Sequence, residues 1–284
     1  MKKVGVVGCG LMGSGIAQVC AQSGHTTTVV ELSDEVLHKG LARINAWLEK
    51  GKRRGKLTDE QVEAANKNLT SSTKIADLAD CDVVIEAVTE NVELKKQVFG
   101  DLSWVCKEGA ILATNTSSIS ITEIANATKH PENVVGMHFF NPVPIMKLVE
   151  VIKGFLTSEE VMQASHEFVK SVGKESITCQ DTPAFVVNKL LVPYLLNAIR
   201  MVQDGVASIE DVDKAMVLGC GYPMGPLALL DYVGIDTTMH AADVLFNEFR
   251  ESGYAAPVLM RRMVLAGHWG RKTGRGFYSY DEHS

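Results

Sequence analysis

The chain is poor in aromatic residues (6%), and its six cysteines, Cys9, Cys20, Cys81, Cys106, Cys179 and Cys220, contain no Cys-x-x-Cys pair. Without paired or metal-like spacing they read as small buried thiols of a reducing cytosol, not as a disulfide framework or a metal site. Basic residues are the minority, 28 Lys and Arg against 34 Asp and Glu, and the formal charge of −6 argues against a general nucleic-acid-binding role. An unbroken apolar run of membrane length is also missing. The nearest approach, "FVVNKLLVPYLLNAIRMV" at 185–202, is interrupted by Asn188, Lys189, Pro193, Asn197 and Arg200, so it suits a buried helix better than a lipid-facing span. There is no internal repeat and no low-complexity linker. Nor is a targeting segment expected, because the glycines that follow the two N-terminal lysines have a better explanation. What is present is ordinary globular composition, 46% apolar and 22% charged over 284 residues, enough chain for two domains with their own cores.

The first part of the chain alternates. Short, apolar, β-branched runs at 2–8, 26–32, 81–88, 109–115 and 133–140 are separated by helical patterns at 12–23, 34–50, 59–68 and 91–106. This alternation predicts a doubly wound, mostly parallel sheet covered on both faces. A strand at 147–154, a helix at 158–171 and a strand at 173–179 complete that domain. Beyond Asp181-Thr182-Pro183 the pattern becomes helical, at 184–204, 208–218, 226–241 and 257–266, with Asp181 or Thr182 as the expected start of the first helix. The fold class is therefore α/β, a Rossmann-type domain over 1–183 followed by an all-α domain over 184–284.

"VGVVGCGLMGSGIAQV" places Gly8-x-Gly10-x-x-Gly13 between a strand and a helix. Gly8 permits the tight turn, Gly10 lets the backbone approach a pyrophosphate, and Gly13 allows close helix–strand packing. Amides around Leu11 and Met12 open the helix, where unpaired N–H groups and the helix dipole favour an anion. Glu31, twenty-three residues after Gly8, ends the second strand and can accept hydrogen bonds from an adenosine ribose. A carboxylate there repels a 2′-phosphate, favouring NAD over NADP. Taken alone, the glycines fit a structural turn and Glu31 a solvated strand end; the whole βαβ unit favours a dinucleotide.

"GMHFFNPVPIMKLVEVI" raises a separate question. If its two apolar halves pair antiparallel about Pro144, positions summing to 288 face each other, and His138 opposes Glu150. Directly opposed side chains are about 5 Å apart at Cβ, within hydrogen-bonding reach. The carboxylate would fix the tautomer of the imidazole and stabilise its protonated form. By itself such a pair fits a satisfied core histidine. Beside a dinucleotide site it suits proton transfer coupled to hydride transfer at an alcohol carbon.

With "GCGLMGSGIAQV", "NTSSISITEIA", "HFFNPVPIMKLVEVI", "DTPAFVVNKLLVPYLLNAI", "GYPMGPLALLDYVG" and "KTGRGFY", the chain resembles the L-3-hydroxyacyl-CoA dehydrogenase family from end to end. The resemblance implies an NAD-dependent enzyme that interconverts acetoacetyl-CoA and 3-hydroxybutanoyl-CoA. It also implies a cytoplasmic homodimer joined through the C-terminal domain, with no nucleic-acid or membrane partner. His138 matches the catalytic base and Glu150 its orienting carboxylate. Ser117 matches a residue near nicotinamide and substrate, Asn188 one that positions substrate, and Asn141 one that lines the junction between the two. Glu90, Lys95 and Lys272 match cofactor-side positions. Read without the family, Ser117 fits a helix cap, Glu90 a helix-start charge, Asn188 an interhelical hydrogen bond and Lys272 a solvated lysine. Ser117 has independent support, since it follows a strand at the carboxyl edge where doubly wound sheets bind ligands. "KGKRRGK" at 50–56 carries five basic side chains in seven positions. Lys50 and Arg54 share a face if the helix persists, and the resemblance implies that they meet coenzyme A phosphates. The bland alternative is a solubilising charged end. The remaining histidines lack ligand spacing, and no metal is expected.

Overall fold

The computed structural model describes residues 2–280. The chain divides into two compact units, one ending at Thr182 and the other starting at Pro183.

The first unit holds eight strands: β1 (Lys3–Val7), β2 (Thr26–Val30), β3 (Leu69–Ser72), β4 (Val83–Glu86), β5 (Ile111–Thr114), β6 (Val134–Phe139), β7 (Leu148–Lys153) and β8 (Glu175–Gln180). Its helices are α1 (Leu11–Gln22), α2 (Asp34–Arg53), α3 (Asp59–Lys67), α4 (Val92–Val105), α5 (Ile121–Ala125) and α6 (Glu159–Ser171). The strands form one sheet in the order β3-β2-β1-β4-β5-β6-β7-β8. Pairing is parallel from β3 through to β6, antiparallel between β6 and β7, and parallel again between β7 and β8. Val4, Val6, Val29, Val83, Ile85 and Ala113 are wholly buried, as expected for strands covered on both faces. The order reverses between β1 and β4, so the ligand-binding crevice of such a sheet lies at their carboxyl ends.

The one antiparallel step follows from chain length. Residues 140–147 are too few for a crossover, so β7 must return beside β6. Pro142, whose peptide bond to Asn141 is cis, and Pro144 sit in that reversal, where neither has to donate to the ladder. The resulting register pairs Gly136 with Ile152, Met137 with Val151 and His138 with Glu150.

Strand β3 and helix α5 have no counterpart in the periodicity. "LTSS" offers a single apolar residue; it pairs only with β2 and forms a short polar edge, which suits a position exposed on one side. Helix α5 has five residues, too few for a helical period to show.

The second unit contains α7 (Val187–Gln203), α8 (Ile209–Cys220), α9 (Pro226–Val233), α10 (Ile235–Phe249) and α11 (Val258–Leu265). Leu195, Leu196, Ile199, Leu227, Leu230, Ile235, Leu245 and Met260 form its core. Three expectations are corrected here. The helix predicted over 226–241 is two helices, divided at Gly234, whose φ of +109° no α-helix accommodates. Helix α7 begins at Val187, not at 184, because Ala184 and Phe185 take φ of +64° and +52°. Left-handed backbone costs a non-glycine residue about 1–2 kcal/mol, here borne by two buried side chains. Neither Asp181 nor Thr182 starts α7, whose N-cap is Val186, and Asp181 instead caps α5: its carboxylate accepts the N–H groups of Ile121 at 3.0 Å and Thr122 at 2.8 Å.

Cys220, at the end of α8, is exposed, unlike Cys9, Cys20, Cys81 and Cys179; a helix end is where a side chain most easily escapes packing. His283, one of the histidines read as non-ligating, lies outside the described residues. Among the described residues, no helix is long and apolar enough to cross a membrane.

Candidate active site

The glycine turn connects β1 to α1. Gly8 has φ of +94°, and its N–H donates to Val30 O at 2.8 Å, tying the turn to β2. A Cβ on Gly13 would lie 1.9 Å from Gly8 O, so only glycine allows α1 to pass this close to the turn. A Cβ on Gly10 would meet no protein atom within 4 Å. Gly10 is the N-cap of α1 and supplies no side-chain acceptor, and no acidic residue occupies the first turn. The amides that begin at Leu11 therefore present partial positive charge without a built-in anion. Glu31 follows β2 directly, and its Oε2 accepts the Cys9 N–H at 3.0 Å. This turn fits a dinucleotide: an uncapped helix start, an open flank at Gly10 and a carboxylate at the end of the next strand. Burial, with Glu31 nearby, pushes the Cys9 thiol up to about 11, so the cysteine inside the turn is no nucleophile at neutral pH.

On the next two strands of the sheet, the ends of β4 and β5 carry a polar cluster. Lys95, on α4 and fully buried, donates to Glu86 Oε1 at 2.7 Å and lies 3.4 Å from Glu90 Oε2. Glu90 Oε1 accepts from Thr116 Oγ1 at 2.6 Å, from the Ser117 N–H at 2.8 Å and from Ser117 Oγ at 3.2 Å. Burial pushes the Glu90 carboxyl up, but Lys95 and the hydrogen bonds from Thr116 and Ser117 outweigh it and hold the group below the ordinary glutamate range. Glu90 thus positions the "NTSS" loop. The sequence reading placed Glu90, Lys95 and Ser117 separately and missed what joins them: Glu86, Thr114, Thr116 and Asn115, whose Oδ1 accepts the Phe139 N–H at 2.8 Å. Signals existed. Glutamate in the otherwise apolar "VVIEAV" is a charge that burial obliges to find a partner, and "ATNTSS" crowds polar groups at a strand's carboxyl end.

On β6 and β7, His138 Nδ1 and Glu150 Oε2 are 2.7 Å apart, with side-chain exposures of 8% and 0%. An ionised carboxylate only accepts, so Nδ1 carries the hydrogen and the lone pair of the neutral ring falls on Nε2. The Phe140 ring packs beside the imidazole, 4.5 Å between centroids, which restricts its rotation. The loop after β6 brings Asn141 to a cavity of about 70 Å³ shared with Leu11, Ser14, Arg43 and Trp47. The start of α1, the α2 face and the β6–β7 turn therefore converge.

The other predicted residues lie on α2 and in the helical unit. Lys50 lies near the end of α2 with Nζ 4.9 Å from the Trp47 ring centroid. The helix ends at Arg53, but Arg54, its C-cap, still donates its N–H to Lys50 O at 3.2 Å. Asn188 occupies the first turn of α7, half-buried, in the helical unit. Lys272, in that same unit, pairs with Asp236 Oδ2 at 2.6 Å.

A doubly wound sheet with a glycine turn for a dinucleotide, and a histidine held by a buried carboxylate, defines an NAD-linked oxidoreductase. Residues 3–182 match the profile of the 3-hydroxyacyl-CoA dehydrogenase NAD binding domain, and residues 185–280 that of the family's C-terminal domain. The chain belongs to the 3-hydroxyacyl-CoA dehydrogenase family, as an enzyme whose cofactor is NAD. It is 49% identical over 282 residues to a 3-hydroxybutyryl-CoA dehydrogenase of Mycobacterium tuberculosis, covering 99% of both chains. It is 45% identical over 287 residues to the human mitochondrial hydroxyacyl-coenzyme A dehydrogenase, covering 99% of this chain and 91% of that one. The crystal structure of (S)-3-hydroxybutyryl-CoA dehydrogenase from Ralstonia eutropha superimposes with a TM-score of 0.96 at 44% identity, covering 99% of this chain and 100% of that chain.

Proposed function

We propose that this protein interconverts (S)-3-hydroxybutanoyl-CoA and acetoacetyl-CoA, with His138 as general acid and base and Glu150 as its orienting partner. The observation that carries the reading is the 2.7 Å contact between Nδ1 of His138 and Glu150, in the same sheet as the glycine turn. In the oxidative direction His138 Nε2 takes the hydroxyl proton of the substrate, and in the reductive direction it returns that proton to the carbonyl oxygen. Bound NAD supplies the hydride acceptor. Glu150 keeps the ring in the competent tautomer and balances the imidazolium charge while the proton resides there. The Leu11 and Met12 amides, with Gly8, Gly10 and Gly13, hold the pyrophosphate, and Glu31 the adenosine ribose. Glu90, Lys95, Asn141 and Lys272 serve the cofactor side, Ser117 serves both cofactor and substrate, and Asn188 positions the substrate.

Replacing Glu150 by Gln is expected to lower kcat by at least about 10², because a neutral amide no longer fixes the tautomer, while NADH affinity stays within about twofold. Steady-state rates with fluorescence titration of NADH separate the two. Unchanged turnover removes the orienting role.

Substrate identity is tested by reduction with NADH of acetoacetyl-CoA, free acetoacetate and a short thioester lacking the nucleotide tail. The expected order puts acetoacetyl-CoA first, and reversing the charge of both Lys50 and Arg54 should raise its KM steeply at low salt. If the tailless thioester is equally affected, the phosphate role fails; if free acetoacetate is preferred, the thioester assignment fails. Likeness to the human hydroxyacyl-coenzyme A dehydrogenase supports a second reading, action on longer 3-hydroxyacyl-CoAs, and the same assay run from C4 to C10 decides between them.

A cytoplasmic homodimer joined through the helical unit is part of this reading. Its support is the exposure of Leu190, Val206, Leu218 and Leu265, at 71%, 62%, 73% and 88%. A monomer in sedimentation velocity at micromolar concentration removes the dimer.

A further inference from the structure

Glu86 ends β4, is fully buried, and has no part in the roles above. Its Oε1 accepts the Val88 N–H at 2.6 Å and Lys95 Nζ at 2.7 Å, and its Oε2 accepts Thr114 Oγ1 at 2.8 Å. The Lys95 ammonium at 2.7 Å favours its carboxylate form. Lys95 also faces Glu90 Oε2 at 3.4 Å. One ammonium therefore serves two carboxylates, and the trio keeps a surplus of one negative charge. Glu86 and Lys95 are fully buried while the Glu90 side chain is 28% exposed; desolvating the buried pair is costly, and apolar side chains would hold α4 to the sheet without that cost. A fixed buried charge acts most strongly on a neighbour whose own charge changes.

We propose that the Glu86–Lys95–Glu90 trio selects the oxidised, cationic nicotinamide over the reduced, neutral one, with Glu86 as the specificity-determining residue. The inference rests on the placement of NAD given above. Strands β3 to β6 follow the 3-2-1-4-5-6 order, in which a dinucleotide crosses the carboxyl edge at the β1–β4 reversal. Glu31 at the end of β2 marks the adenosine side, so the nicotinamide half falls over β4, β5 and β6. Glu86 ends β4, Thr114 ends β5, and Ser117, tied to Glu90, follows β5. The surplus charge thus lies under the half of the cofactor that gains or loses its own. One charge at about 10 Å, in an effective dielectric of about 20, changes the affinity ratio of the two redox forms roughly tenfold.

The test is equilibrium binding to the full chain, with NADH followed by its fluorescence and NAD⁺ by competition. Glu86→Gln and Glu90→Gln each bring the trio to neutrality, and each is expected to raise Kd(NAD⁺)/Kd(NADH) roughly tenfold. Glu86→Asp keeps the charge and should hold the wild-type ratio, which a merely structural role does not require. An unchanged ratio in Glu86→Gln that still binds NADH overturns the proposal, as does an equal shift in Glu86→Asp. If Glu86→Gln does not fold, Glu90→Gln reads the same surplus and decides alone. A wild-type chain that binds neither redox form overturns the cofactor placement instead.

Discussion

Substituting Gln for His138 is expected to lower kcat by roughly 10²–10⁴, the usual contribution of a positioned general acid–base group. Glutamine has nearly the reach of histidine and can still hydrogen-bond Glu150 through its amide, so β6 and β7 should keep their register. It cannot accept and return a proton at neutral pH. NADH affinity should stay within about twofold, because the groups assigned to the cofactor, from the β1–α1 turn and Glu31 to Glu90, Lys95, Ser117, Asn141 and Lys272, do not include His138. Pre-steady-state reduction of acetoacetyl-CoA separates the chemical step from product release, and the loss must appear in the chemical step. Near-wild-type turnover would mean that Glu150 steadies a bystander.

The second large effect is a contrast between two glycines. Gly10→Ala should leave stability within about 0.5 kcal/mol of wild type, since the added methyl meets no protein atom within 4 Å and the local φ of −69° suits an L-residue. The same methyl occupies the path of a pyrophosphate to the start of α1, and NADH affinity should fall by roughly 10² or more through lost charge-assisted hydrogen bonds. Gly13→Ala behaves otherwise. Its Cβ would stand 1.9 Å from a backbone oxygen, which cannot move without opening the turn, so both thermal stability and NADH binding should fall. Thermal melts beside NADH titrations read both variants. A Gly10→Ala protein that binds NADH normally would remove the pyrophosphate from this turn.

How much of this was legible before any coordinates depends on how far each feature reaches along the chain. The His138–Glu150 register followed from arithmetic on one hairpin, because its strands are close in sequence and its prolines mark the reversal. The glycine turn was equally local. Glu90 and Ser117 were found one by one, yet their mutual hydrogen bonds span 27 positions and depend on β4 and β5 lying side by side. The break at Gly234 was missed because the helical pattern continues across it, and nothing in periodicity reports a backbone angle.

Composition, strand–helix alternation and the glycine spacing by themselves determined the α/β class and the expectation of NAD, since the periodicities and the glycine turn are local to single elements or adjoining ones. Tertiary structure alone decided that Asp181 caps α5 and not α7, that "LTSS" joins the sheet as its edge, and that Glu86 holds Lys95 beneath the "NTSS" loop. Those are pairings between segments remote in sequence. A buried polar group must find some partner, and only the packed chain settles which one.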